Sequence, residues 1–120
     1  MSWVIVTGAN GGIGEATVHQ LITNGYSVFA ADLAQQPIAS FATYGDAIFR
    51  YRAVDVTSEE SVTTLAEAVA ALDEPITGAV LAAGIAHSQP LLETSFDTWK
   101  RLHAVNSDGV FLCLREFARI

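Results

Sequence analysis

The chain has 120 residues, enough for one domain with a single core, and hydrophobic residues make up 51% of it, which argues against disorder. A net charge of −7, from 13 acids against 6 basic residues with Lys100 the only lysine, makes nucleic acid and anionic membrane surfaces poor partners. No apolar run approaches the roughly 18 residues that a membrane-spanning helix requires, the start Met1-Ser2-Trp3 has no basic leader segment, and the single Cys113 excludes an internal disulfide, so a reducing cytoplasm is expected.

The first predicted element is a buried strand over about residues 3–7, the apolar run Trp3-Val4-Ile5-Val6. It leads directly into Thr7-Gly8-Ala9-Asn10-Gly11-Gly12-Ile13-Gly14, and a helix is expected from about 12 to 24, closed by Gly25 where a helix end favours a left-handed residue. A glycine-rich turn between a strand and a helix N-terminus holds a pyrophosphate well. Backbone N–H groups face the anion, the helix dipole favours negative charge, and missing side chains allow close approach. Gly8, Asn10, Gly12, Ile13 and Gly14 are therefore the first candidate cofactor contacts. A second strand, about 26–32, ends in Asp32, 18 residues after Gly14. A carboxylate at that place accepts both hydroxyl hydrogens of an adenosine ribose and repels the extra phosphate of NADP. Neither 8–16 nor 33–36 contains arginine or lysine, so Asp32, with Leu33 beside it, points to NAD.

Residues 35–46, interrupted by Pro37 and Gly45, read as a weak helix or loop. A third strand follows at about 48–54 and runs into Asp55-Val56. Thr57 is expected to start the next helix, with Glu60 three residues later completing a capping box. Val62, Leu65, Ala66, Val69 and Leu72 recur at helical spacing, so one face packs on a sheet. Pro75 ends that region, a fourth strand spans about 77–83, and a loop of about 84–94 carries His87 and Pro90. Ser95 then caps a long final helix from about 96 onward. Alternating β and α units imply parallel strands with right-handed crossovers, order 3-2-1-4, and ligands at the carboxyl ends of the strands.

The pattern T-G-x-x-x-G-I-G over Thr7–Gly14 resembles the short-chain dehydrogenase/reductase family, and the resemblance covers the whole chain. It implies an α/β, three-layer Rossmann-like fold that is truncated relative to a full short-chain dehydrogenase, with residues 1–120 as its NAD-binding portion. It also implies that Asp55, paired with Val56, meets the adenine amino group. Ala83-Gly84 is similar to the end of the family's Asn-Asn-Ala-Gly motif, although Leu81 and Ala82 replace both asparagines. Asn106, followed by Gly109 and Phe111, resembles the catalytic asparagine that perturbs its helix and helps hold a water in a proton relay.

The resemblance also implies a catalytic serine, and a tyrosine with a lysine four residues beyond it, and that tyrosine–lysine pair has no counterpart. Tyrosines stand at 26, 44 and 51, followed four residues later by Ala30, Ile48 and Asp55, and the residue four before Lys100 is Phe96. The expected function is thus the NAD-binding part of an oxidoreductase acting on an alcohol/carbonyl pair, catalytically incomplete as given. A non-catalytic dinucleotide-binding or interaction module is the alternative.

No metal site is expected, since His19, His87 and His103 lack ligand spacing. His19 and His103 read as surface or boundary residues, and His87, at the cofactor end, is open to a substrate-side role. Glu59-Glu60 reads as helix-terminus charge, Trp3 and Trp99 as packing residues, and Cys113 as a buried helical thiol. The apolar fourth strand and the helix face of Leu102, Val105, Leu112 and Phe117 lack evident cover, so a homodimer through them is expected.

Overall fold

A computed structural model of the chain describes residues 2–120. Four strands form one parallel sheet: β1 (Trp3–Thr7), β2 (Ser27–Asp32), β3 (Phe49–Ala53) and β4 (Ile76–Leu81), in the order β3-β2-β1-β4. The order is the expected one. Helix α1 (Gly12–Thr23) joins β1 to β2, and α2 (Glu59–Ala70) joins β3 to β4.

The period-2 alternation of the strands splits the core into two layers. Trp3, Ile5, Phe29 and Ala31 face α2, packing with Val62, Leu65 and Val69. Val4, Val6, Val28, Ala30 and Phe49 face α1 and pack with Val18 and Phe41. Both faces of β1 and β2 are therefore covered, and this is why their sequences read as unbroken apolar runs. Gly25 follows α1 at φ +90°, as the left-handed helix end requires.

Three local expectations are corrected. The start of α2 is capped by Ser58, whose hydroxyl accepts from the Ser61 amide at 3.2 Å, and not by Thr57. The Asp55 carboxylate has already taken Thr57, accepting from its amide at 2.9 Å and its hydroxyl at 2.6 Å. β4 ends at Leu81, short of residue 83, because its partner β1 ends opposite it at Thr7. The final helix is not continuous. It consists of α3 (Phe96–His103), a π-helical turn at Ala104–Asp108, and α4 (Gly109–Phe117).

Ser95 does cap α3, accepting from the Thr98 amide at 3.1 Å. Segment 35–46 is a loop with one 3₁₀ turn, Ala39–Phe41, which buries Phe41. Cys113 is buried in α4, and burial pushes its thiol pKa up to about 11. Arg115 of α4 reaches Glu59 of α2 at 2.6 Å, tying the two helices on that side.

Candidate functional site

The turn after β1 is built on two glycines that admit no side chain. Gly8 has φ +66°, and a Cβ there would lie 2.5 Å from the Ala83 nitrogen and 2.6 Å from the Ala82 oxygen. A Cβ at Gly14 would run into the Gly8 carbonyl. The chain leaving β1 thus sits directly on the chain leaving β4, and α1 starts directly on the turn. Gly11 is the N-cap and offers no side-chain acceptor. Among the described residues, the first-turn amides of Gly12, Ile13 and Gly14 have no partner within the chain. Three free N–H groups at the positive end of a helix dipole, with Ile13 77% exposed beside them, form a cradle for an anion.

Asp32 ends β2 beside this turn. Its Oδ2 accepts from the Asn10 amide at 2.9 Å and its Oδ1 from the Leu33 amide at 2.7 Å. The carboxylate is held in place by main chain, and each oxygen keeps a further lone-pair site for a ligand.

A cavity of about 540 Å³ opens at the carboxyl ends of the strands. It gathers Gly8, Asp32, Leu33, Asp55, Val56, Ala83 and Gly84 from the sequence-based candidates. Asn10, Gly12, Ile13 and Gly14 stand at the adjoining turn without lining it. Asp55 is oriented at the cavity wall by Thr57, whose amide and hydroxyl donate to its Oδ1. Val56 packs against α4, where a Cβ on Gly109 would lie 2.7 Å from Val56 Cγ2. Glycine at 109 is what lets α4 approach the wall.

Asn106 lies in the π-helical turn and outside the cavity lining. Its Oδ1 accepts from the Ile85 amide at 2.9 Å and its Nδ2 donates to the Ile85 carbonyl at 2.8 Å. The side-chain amide substitutes for a strand partner, extending order past the end of β4. This geometry ties the Asn106 side chain to the main chain of Ile85.

Sequence reasoning missed Gly11, Val54, Thr57, Ala82, Ile85, Arg101, Ala104 and Val105 among the lining residues. The i, i+4 spacing of Arg101 and Val105 on one helix face was the available signal for that pair. Arg101 also borders a smaller pocket of about 320 Å³ with His87 and Thr98. His87 is exposed there and pairs with Gln89 at 2.6 Å.

The other singled-out residues lie apart. His19 touches Tyr44 at 2.5 Å and Ser40 at 3.2 Å on the far side of α1. His103 bonds the Trp99 carbonyl, and its ring lies 4.2 Å from the Trp99 ring. Trp3 is a core residue, but Trp99 is 55% exposed and covers His103 instead of packing inside. Among the described residues, no group of three or more His, Cys, Asp or Glu is placed to hold a metal, and no helix is long and apolar enough to cross a membrane.

The short chain dehydrogenase family model matches residues 2–120. A galactitol 2-dehydrogenase (L-tagatose-forming) of Cereibacter sphaeroides is 36% identical over 118 residues, covering 95% of this chain and 45% of that protein. An NADP-dependent (R)-specific alcohol dehydrogenase of Lentilactobacillus kefiri is 32% identical over 115 residues, covering 92% and 45% respectively. Among solved structures, a glucose/ribitol dehydrogenase from Brucella melitensis superposes with a TM-score of 0.90 at 27% identity, over 98% of this chain and 51% of that one. The chain thus spans about half the length of the relatives it matches.

Proposed function

This chain belongs to the short-chain dehydrogenase/reductase family, and we propose that it is the NAD(H)-binding portion of an oxidoreductase that interconverts an alcohol and a carbonyl compound. The observation that carries the reading is the fixed Asp32 carboxylate beside a turn whose glycines leave the anion cradle bare. A dinucleotide fits that donor set: a negative diphosphate for the free amides of Gly12, Ile13 and Gly14, a ribose diol for Asp32, and a flat base against Val56 and Val105. Ala83 and Gly84 form the floor, and Asn106 keeps the adjoining Ile85 segment in place.

When bound, the nicotinamide would supply or accept the hydride. The chain's own residues bind and orient it, and Val54, Val56, Ala82 and Ala83 give the groove an apolar wall. Proton transfer needs a further group. None of Tyr26, Tyr44 and Tyr51 has a lysine four residues on, so in isolation this chain lacks general acid catalysis worth about 10²–10⁴-fold.

The expected outcome is therefore binding without turnover. Calorimetric titration of the 120-residue protein should show NADH bound more tightly than NADPH, and the reverse order breaks the Asp32 argument. Measured dehydrogenase turnover that an Asp32 substitution removes would overturn the claim of catalytic incompleteness. A non-catalytic dinucleotide-binding module is the second reading. Intact-mass analysis of the native protein separates the two: a longer product carrying serine, tyrosine and lysine speaks for the enzyme.

We further propose self-association. β4 pairs on one side only, and beside it lies an apolar groove of about 390 Å³ bordered by Ile76, Ala79, Leu114, Phe117 and Ile120. Unpaired strand edges and apolar faces favour pairing with a second chain.

A further inference from the structure

The stretch that follows Asp32 has no regular structure until Ala39, yet two side chains from elsewhere hold its main chain at three points. Asn10 Oδ1 accepts from the Ile38 amide at 3.1 Å, and Asn10 Nδ2 donates to the Gln36 carbonyl at 3.3 Å. The Tyr51 hydroxyl donates to the Ala34 carbonyl at 2.6 Å and accepts from Asn10 Nδ2 at 3.2 Å. The same Asn10 donates its own amide to Asp32. One turn residue and one β3 residue therefore connect the carboxylate to the loop behind it.

Tyr51 can do this because strand alternation directs it, with Phe49, to the α1 side of the sheet. Its phenol pKa is raised above the ordinary 10, first by burial and also by the nearby Asp32 charge, while the Asn10 hydrogen bond opposes both. The hydroxyl stays protonated and keeps its proton for Ala34.

The consequence concerns the ribose that Asp32 is proposed to grasp. NADP differs from NAD by a phosphate in place of one ribose hydroxyl, so that phosphate must lie against Asp32 and the groups around it. It needs donors or cations there. Those of Asn10, Leu33 and Tyr51 are already committed: the Asn10 and Leu33 amides to Asp32, both Asn10 Nδ2 hydrogens to Gln36 and Tyr51, and the Tyr51 hydroxyl to Ala34. The β3 cations are turned elsewhere. Arg50 bonds the Asp46 carbonyl at 2.8 Å, and Arg52 lies in a groove with Ser58 and Glu60.

We propose that Tyr51 and Asn10 form a latch that sets the preference for NAD over NADP, by committing their own donors internally and fixing residues 34–38 against the turn. This rests on the cofactor reading given above. Tyr51 is a positioning residue in this scheme: it acts through Asn10 and the loop, without touching the dinucleotide.

Calorimetric titration with NADH and NADPH tests it on four proteins: wild type, Tyr51→Phe, Asp32→Asn and the double variant. Tyr51→Phe keeps the ring in the core, frees one Asn10 hydrogen and releases Ala34. The expected result is a NADPH-to-NADH Kd ratio lowered about three- to tenfold, the scale of one hydrogen bond. In the double variant the two effects should be less than additive, because Asp32 and Tyr51 are joined in one hydrogen-bond network through Asn10. Should Tyr51→Phe fold poorly, Asn10→Ser removes the amide contacts to Gln36 and Tyr51 and is expected to lower the same ratio at least as far. Equal weakening of both dinucleotides by Tyr51→Phe, with the ratio unchanged, overturns the latch while leaving the cofactor reading intact. An Asp32→Asn protein with unaltered NADH affinity and ratio, or a wild type that binds neither dinucleotide, overturns the cofactor reading itself.

Discussion

Replacing Gly8 by alanine should damage this protein twice over. At φ +66° a side chain brings left-handed backbone strain of about 1–2 kcal/mol. The new Cβ would also meet backbone atoms of Ala82 and Ala83 at 2.5–2.6 Å, and backbone cannot swing aside as a flexible side chain can. Overpacking of that kind costs roughly a further 1–3 kcal/mol, giving a total of about 2–5 kcal/mol. For a chain of this length the unfolding entropy makes 1 kcal/mol worth about 4 °C, so the melting temperature should fall by about 8–20 °C. Gly12→Ala is the internal control. A Cβ there meets nothing within 4 Å, and its backbone is not left-handed, so alanine in the first turn of α1 should be neutral or stabilising by up to about 1 kcal/mol. Thermal unfolding followed by circular dichroism, with NADH titration of both variants, is the assay. A Gly8→Ala protein that melts within about 2 °C of wild type would refute the claim that the turn rests on the β4 exit.

The buried Cys113 should resist iodoacetamide at pH 8 in the folded state and react on unfolding. Its folded pKa is raised from 9.0 to about 11, so the stability it contributes is complete below pH 9 and lost as pH rises toward 11; a urea midpoint that stays flat across that interval would contradict the assignment. Light scattering at high micromolar concentration should report a dimer, and Ala79→Lys on the open β4 edge should shift it toward monomer; a wild-type protein that remains monomeric would sink the proposed self-association.

Much of the fold was readable because β1, α1 and β2 agree at every level: apolar strands, a glycine turn with no freedom for side chains, and a left-handed Gly25. The candidate site was legible where it is local, from Gly8 to Gly14 and at Asp32. What escaped was decided by competition or by distance. Thr57 and Ser58 stand side by side as possible caps, and only the position of the Asp55 carboxylate decides which is left free for the helix. The π-helical turn around Asn106 breaks no sequence period, since polar Asn106-Ser107-Asp108 also fits an exposed helical surface. The contact of Asn10 with Tyr51 joins residues 41 apart in sequence, which no local pattern encodes. Trp99 resembled a core residue by composition but belongs to a helix with no buried positions.

That last helix is unevenly attached. Among the described residues, the only hydrogen bonds that tie α3 and the π-helical turn to segments outside residues 95–120 are the two between Asn106 and Ile85. No side chain of α3 is buried, while β1 and β2 are sealed on both faces. Detaching α3 therefore costs far less than opening the sheet, and its amides should exchange with deuterium well before those of the strands. The groove has one rigid bank and one hinged bank, and Arg101 rides on the hinged one.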